Sequence, residues 1–149
     1  MKNVLLFLFS FIVIVILTIF ITEKCVEKFK ALNEHDKKAK EILDIVKTRL
    51  AKIYPNINEL NIRESTKSET FHKRDIYLCI RDKENNFYDI NTIMYVALHE
   101  LSHVLDKEGF GHDDNPYFEG VFEETKKKGI DAGIYDPKIG LTDGYCGYF

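Results

Sequence analysis

Two histidines four positions apart, with a glutamate directly after the first, are the residues of this chain whose types and spacing can do chemistry: His99-Glu100-Leu101-Ser102-His103. On a helix, side chains four apart project from one face, one turn above the other. Zn²⁺ takes neutral imidazole nitrogens at about 2.0–2.1 Å, and a single helix supplies two of them with little strain. Glu100 then stands beside the metal, where it can take a proton from water. A catalytic zinc needs a third protein ligand and an open position. His112 follows His103 by nine positions, past Gly109 and Gly111, which permit the chain to reverse. His112 is the expected third ligand. Glu119 and Glu123, or Asp113 and Asp114, are its competitors, although the two glutamates also read as the acidic first half of a surface helix. Asp106, just past His103, could cap the helix or support the site.

The elements that must position these residues are legible around them. Asp89 or Asn91 can cap a helix start, and no Gly or Pro intervenes before Gly109. Met94, Leu98, Leu101 and Leu105 form a core-facing stripe, with Val96, His99 and His103 on another face. A surface helix that happens to carry two histidines is the bland alternative, and the apolar Tyr95-Val96-Ala97-Leu98 argues against it. Asn115 and Pro116 read as the cap and first position of a second helix, burying Phe118, Val121, Phe122 and Thr125. Lys126-Lys127-Lys128 before Gly129 suits the end of that helix. Asp75 to Arg81 is the clearest strand, Asp82 to Asn86 a turn, and Phe87-Tyr88 a short return. Asn58 to Arg63 is a possible short strand, and Ser65 to His72 reads as a loop. The glycine- and aromatic-rich tail from Ile130 is expected to be ordered coil.

Val4 to Ile21 is apolar apart from Ser10 and Thr18, and as a helix it would span about 27 Å, close to a bilayer core. No small-residue cleavage site follows, so an uncleaved single-pass anchor is expected in preference to secretion after signal cleavage. The lysines after it outnumber Lys2 and put the soluble part on the cytoplasmic side. The expected division is 1–22 transmembrane, 23–55 a charged helix with Ile42, Leu43, Ile45, Val46, Leu50 and Ile53 as its apolar stripe, and 56–149 the domain carrying the chemistry. A net charge of −3 gives no footprint for nucleic acid. Cys25, Cys79 and Cys146 are too few for a disulfide framework and fit a reducing environment, with a single disulfide as the alternative. Cys79 reads as a small core residue of its strand. Cys146 could approach the metal as a thiolate, but a small buried residue is preferred.

The pentad, the glycine-containing turn, His112-Asp113 and the helix bearing Phe118 resemble the WLM and SprT-like minimal zinc metalloproteases. Gly133-Ile134-Tyr135-Asp136-Pro137 and Tyr145-Cys146-Gly147 look similar to metallopeptidases of that kind in large DNA viruses. The resemblance covers about 75–149. It implies an α+β zincin-like fold, with a small antiparallel sheet packed on the motif helix. It also implies zinc held by His99, His103 and His112, with Glu100 as general base. The function expected on these grounds is a membrane-anchored zinc metalloendopeptidase acting on a protein or peptide substrate. That substrate would lie along the free edge of the Ile76–Ile80 strand, and Tyr135, Tyr145 or His72 would stabilise the oxyanion. Two alternatives stand beside it. One is a membrane-tethered binding or structural protein whose zinc is closed by a fourth ligand such as Cys146 or Asp113. The other has no metal at all.

Overall fold

The computed structural model describes residues 2–107 and 115–147, with side chains from Ile14 onward. His112, with its neighbours Gly109, Gly111, Asp113 and Asp114, lies outside the described residues. The described chain is α+β, and it divides into two units, 1–38 and 39–149.

The first unit is the opening part of one continuous helix, α1 (Lys2–Leu50). The transmembrane helix expected at 1–22 is corrected here: among the described residues no helix is long and apolar enough to cross a membrane. A span needs about 20 apolar residues. Directly after Thr22, Glu23, Lys24, Glu27 and Lys28 bring charge into the same helix. The single-pass placement and its cytoplasmic orientation are corrected with it.

In the second unit the last turns of α1 contribute Ala39, Val46 and Leu50 to the core, a spacing that keeps one helix face inward. A 3-10 turn at Ile57–Glu59 leads into β1 (Asn61–Glu64), β2 (Glu69–Phe71) and β3 (Asp75–Leu78). The sheet order is β1-β3-β2. β1 runs parallel to β3, pairing Ile62 with Ile76, and β2 runs antiparallel to it, pairing Thr70 with Ile76. The sheet is therefore mixed, not antiparallel throughout, and β2 occupies the segment expected to be loop. β3 is central and paired on both sides from Asp75 to Tyr77, so a substrate edge at Ile76–Ile80 is also corrected over 76–77. Ile76, Leu78 and Ile80 are fully buried, as period-2 alternation onto one face requires. Beyond β3, Arg81 bridges back to Phe87 around the turn capped by Asp82, as expected from the sequence.

Helix α2 (Ile90–Leu105) begins where the sequence placed it. Asp89 is the N-cap, its Oδ1 accepting from the backbone N–H of Asn91 and of Thr92, each at 2.9 Å. Met94, Leu98 and Leu101 are completely buried beneath it. Helix α3 (Pro116–Asp131) is capped by the Asn115 side chain, which accepts from Tyr117 N–H at 3.0 Å, with Pro116 at the first turn. Phe118, Phe122 and Thr125 are its buried side. The helix does not stop at Gly129 but passes through it. A Cβ at Gly129 would lie 2.7 Å from Leu98 Cδ1, so this glycine is what lets α3 approach α2 closely.

The tail is pinned coil ending in a short 3-10 turn at Tyr145–Gly147. Asn91 holds it by donating to the Asp136 carbonyl at 3.0 Å and accepting from Asp136 N–H at 2.9 Å. Thr142 donates to Asp89 Oδ2 at 2.7 Å, so one carboxylate caps α2 and ties down the tail. Cys146 is bonded to Cys79 as a disulfide, with the two Cα atoms 6.4 Å apart. Cys79 is buried in the core as expected, but it is no free thiol, and the bond removes the metal-approaching thiolate at Cys146. Their separation of 67 positions gives no local signal of pairing.

Candidate functional site

The pentad lies on the last two turns of α2. His99 and His103, both half-buried, turn toward α3. Their ring centroids are 5.0 Å apart. Phe118 stacks on His103 at 4.3 Å with 22° between the planes, and meets His99 edge-on at 5.2 Å. Phe122 meets His99 edge-on at 5.0 Å. Imidazole nitrogens carry their lone pairs in the ring plane, so a ring stacked on a phenyl face can still ligate at its edge. Two imidazoles on one tetrahedral zinc would have centroids roughly 5 Å apart, given Zn–N bonds near 2 Å. The observed pair fits that requirement.

Glu100, about 100° around the helix from His99, meets β2. It is 4 % exposed, and Thr70 Oγ1 lies 2.7 Å from its Oε2 and 3.0 Å from its carbonyl oxygen. Burial raises its carboxyl pKa to about 7; the Thr70 hydrogen bond opposes this and the nearby Glu69 charge adds to it. A buried carboxylate poised near neutrality, in the stretch that also bears two candidate metal ligands, is the arrangement a general base needs.

The other candidates are placed as follows. Glu119 and Glu123 are exposed on α3, and Glu123 pairs with Lys126. Among the described residues no group of three or more His, Cys, Asp and Glu side chains is gathered to hold a metal, so neither glutamate completes the pair of imidazoles. Asp106 is the C-cap of α2: its N–H donates to the Ser102 carbonyl at 2.8 Å and its own carbonyl accepts from Lys73. Tyr145 is fully buried and its hydroxyl contacts the Cys79 carbonyl and Ser68 Oγ, which makes it a packing residue and not an oxyanion donor. Tyr135 packs on Tyr95 at 5.6 Å, and Tyr95 on Phe122 at 5.4 Å, so it joins the aromatic row that begins at His99. Burial, then the neighbouring Tyr95, raises its phenol pKa. His72 is exposed in the turn from β2 to β3, with φ of 52°.

Thr70 is the site residue that the sequence did not reveal. Its one signal is the pattern Ser68-Glu69-Thr70-Phe71, in which 68 and 70 turn inward and 69 and 71 outward, and a pair of hydroxyls is a weak marker of an inward face.

No family model matches the chain. No solved structure matches it either. Among curated proteins it is 37 % identical over 91 residues to an uncharacterized protein of Invertebrate iridescent virus 6, covering 59 % of this chain and 49 % of that one. It is 41 % identical over 90 residues to an uncharacterized protein of Invertebrate iridescent virus 3, covering 60 % and 55 % respectively. A third match, 41 % over 63 residues, is an uncharacterized protein of Acanthamoeba polyphaga mimivirus, covering 42 % and 30 %. The chain is thus similar to a set of viral proteins, and it spans about half the length of the first two.

Proposed function

We propose that this chain is a zinc-dependent metallopeptidase, with His99, His103 and His112 as metal ligands and Glu100 as general base. The observation that carries the reading is Glu100 itself. It is a carboxylate buried on the helix that bears two imidazoles at zinc-compatible separation, with its proton affinity near neutrality. His99, His103 and His112 would hold a zinc ion, which would supply Lewis acidity to a bound water and to a carbonyl. Glu100 accepts the proton of the attacking water and returns it to the leaving amine. Phe118 and Phe122 shield one side of the imidazole pair from water and fix the ring planes. An extended peptide has a main-chain partner in β2, which pairs with β3 on one side only and carries Thr70 against Glu100.

The test is zinc content and casein cleavage by the full chain, wild type beside Glu100→Gln. Stoichiometric zinc in both, with cleavage lowered by roughly 10²–10⁴-fold in the variant, is the expected result. A wild-type protein that binds no zinc overturns the reading.

A further inference from the structure

We infer that Thr70 is a positioning residue for Glu100, acting through the hydroxyl that holds Oε2. The inference rests on the metallopeptidase reading, because orientation of the carboxylate matters only if Glu100 moves a proton. A threonine hydroxyl has one proton to donate. The two acceptors near Thr70 Oγ1 are Glu100 Oε2 at 2.7 Å and the Glu100 carbonyl at 3.0 Å. The shorter contact is to the carboxyl oxygen, so the hydroxyl bears on the side chain more closely than on the main chain. Burial strips water from Glu100, so this hydroxyl stands where solvent would otherwise donate. With Oε2 held, rotation about the last side-chain bond is restrained, and the direction of Oε1 is set for proton transfer.

The hydroxyl is itself well placed to act as a fixed post. A β-branched residue is stiff at χ1, and Thr70 sits mid-strand opposite fully buried Ile76. Ser68, immediately before β2, is held from two directions. Its Oγ accepts from Cys79 N–H at 3.0 Å and lies 3.1 Å from the Tyr145 hydroxyl. Cys79 and Cys146, the next residue after Tyr145, are joined covalently. The strand bearing Thr70 is therefore anchored at its start by β3 and by the tail together.

The test uses the full chain with Thr70→Val, which keeps the shape and removes the donor, and Thr70→Ser, which keeps the donor. Thr70→Val should lower kcat roughly 10–100-fold with KM and zinc content unchanged, and Thr70→Ser should restore kcat to within a few-fold. A second readout needs neither zinc nor substrate. In metal-free protein the urea midpoints of Thr70→Val, Glu100→Ala and the double variant should be non-additive, the double losing less than the sum. Wild-type kcat in Thr70→Val, additive midpoints, or a Ser variant as slow as the Val variant each overturns the inference. A wild-type chain that binds zinc but cleaves nothing fails differently: it overturns the metallopeptidase reading, and the role of Thr70 with it.

Discussion

Helix α2 carries two unlike environments at neighbouring residues. On the sheet side, Glu100 is a single carboxyl in dry surroundings, controlled by one hydroxyl. On the α3 side, His99 and His103 sit among rings, controlled by the shape and spacing of Phe118 and Phe122. The first environment sets a proton affinity; the second sets an orientation. They are separable, because the sheet side is built from β2, β3 and the tail, whereas the aromatic side is built from α3. Damage to one should be readable without damage to the other.

The strongest way to break the comparison is Phe118→Ala. Phe118 is 3 % exposed and touches both imidazoles, so its loss should cost about 3–5 kcal/mol of stability, read as a lowered urea midpoint. A loss below about 1 kcal/mol would falsify the aromatic side as a structural unit.

The sheet side is sharpened by pH. The Glu100 carboxyl holds its proton more tightly folded, at about 7, than at the ordinary value of 4.5. Its contribution to stability is therefore complete below about pH 4.5, declines as pH rises through 7, and stays lost above that. The decline should amount to at most about 3 kcal/mol in metal-free protein. Urea midpoints measured between pH 5 and 8 should show it in the wild type and lose most of it in Glu100→Gln; equal slopes in the two proteins would contradict the assignment.

Gly129 tests how closely α3 must approach. Gly129→Val should cost about 1–3 kcal/mol by pushing on Leu98, which is itself fully buried. Gly129→Ala should cost less, because a gain of about 1 kcal/mol in helix propensity offsets part of the contact. A Val variant as stable as wild type would show that the two helices can separate freely. The smallest effect belongs to Glu123→Ala on the outer face of α3. Its exposed pairing with Lys126 is worth no more than about 0.5 kcal/mol, and zinc content should not change. A fall in zinc content would make Glu123 a ligand after all.

The helices that carry the imidazoles and their aromatic neighbours were readable because their signals are local. Asp89 ahead of Asn91-Thr92 and Asn115 ahead of Pro116 announce helix starts through short-range hydrogen bonds, and the apolar spacing of Met94, Leu98 and Leu101 marks the buried stripe. The sheet was read poorly because strand order is a tertiary choice. Nothing in Asn61–Glu64 or Glu69–Phe71 says that the first runs parallel to β3 and the second antiparallel. β2 is three residues long and mostly polar, below what periodicity can register. The extent of α3 was misjudged for a related reason. Gly129 looked like a stop until its close approach to Leu98 supplied another reason for a glycine. Long-range partners such as Thr70 with Glu100, 30 positions apart, leave no trace in spacing.

The Cys79–Cys146 bond has a topological result. It closes a covalent ring that contains all of α2 and α3, and with them the candidate ligands His99, His103 and His112 and the Glu100 carboxyl. A single backbone cut anywhere inside that ring leaves one molecule and not two. The nicked protein would migrate intact without reductant and fall into two fragments only when thiol is added.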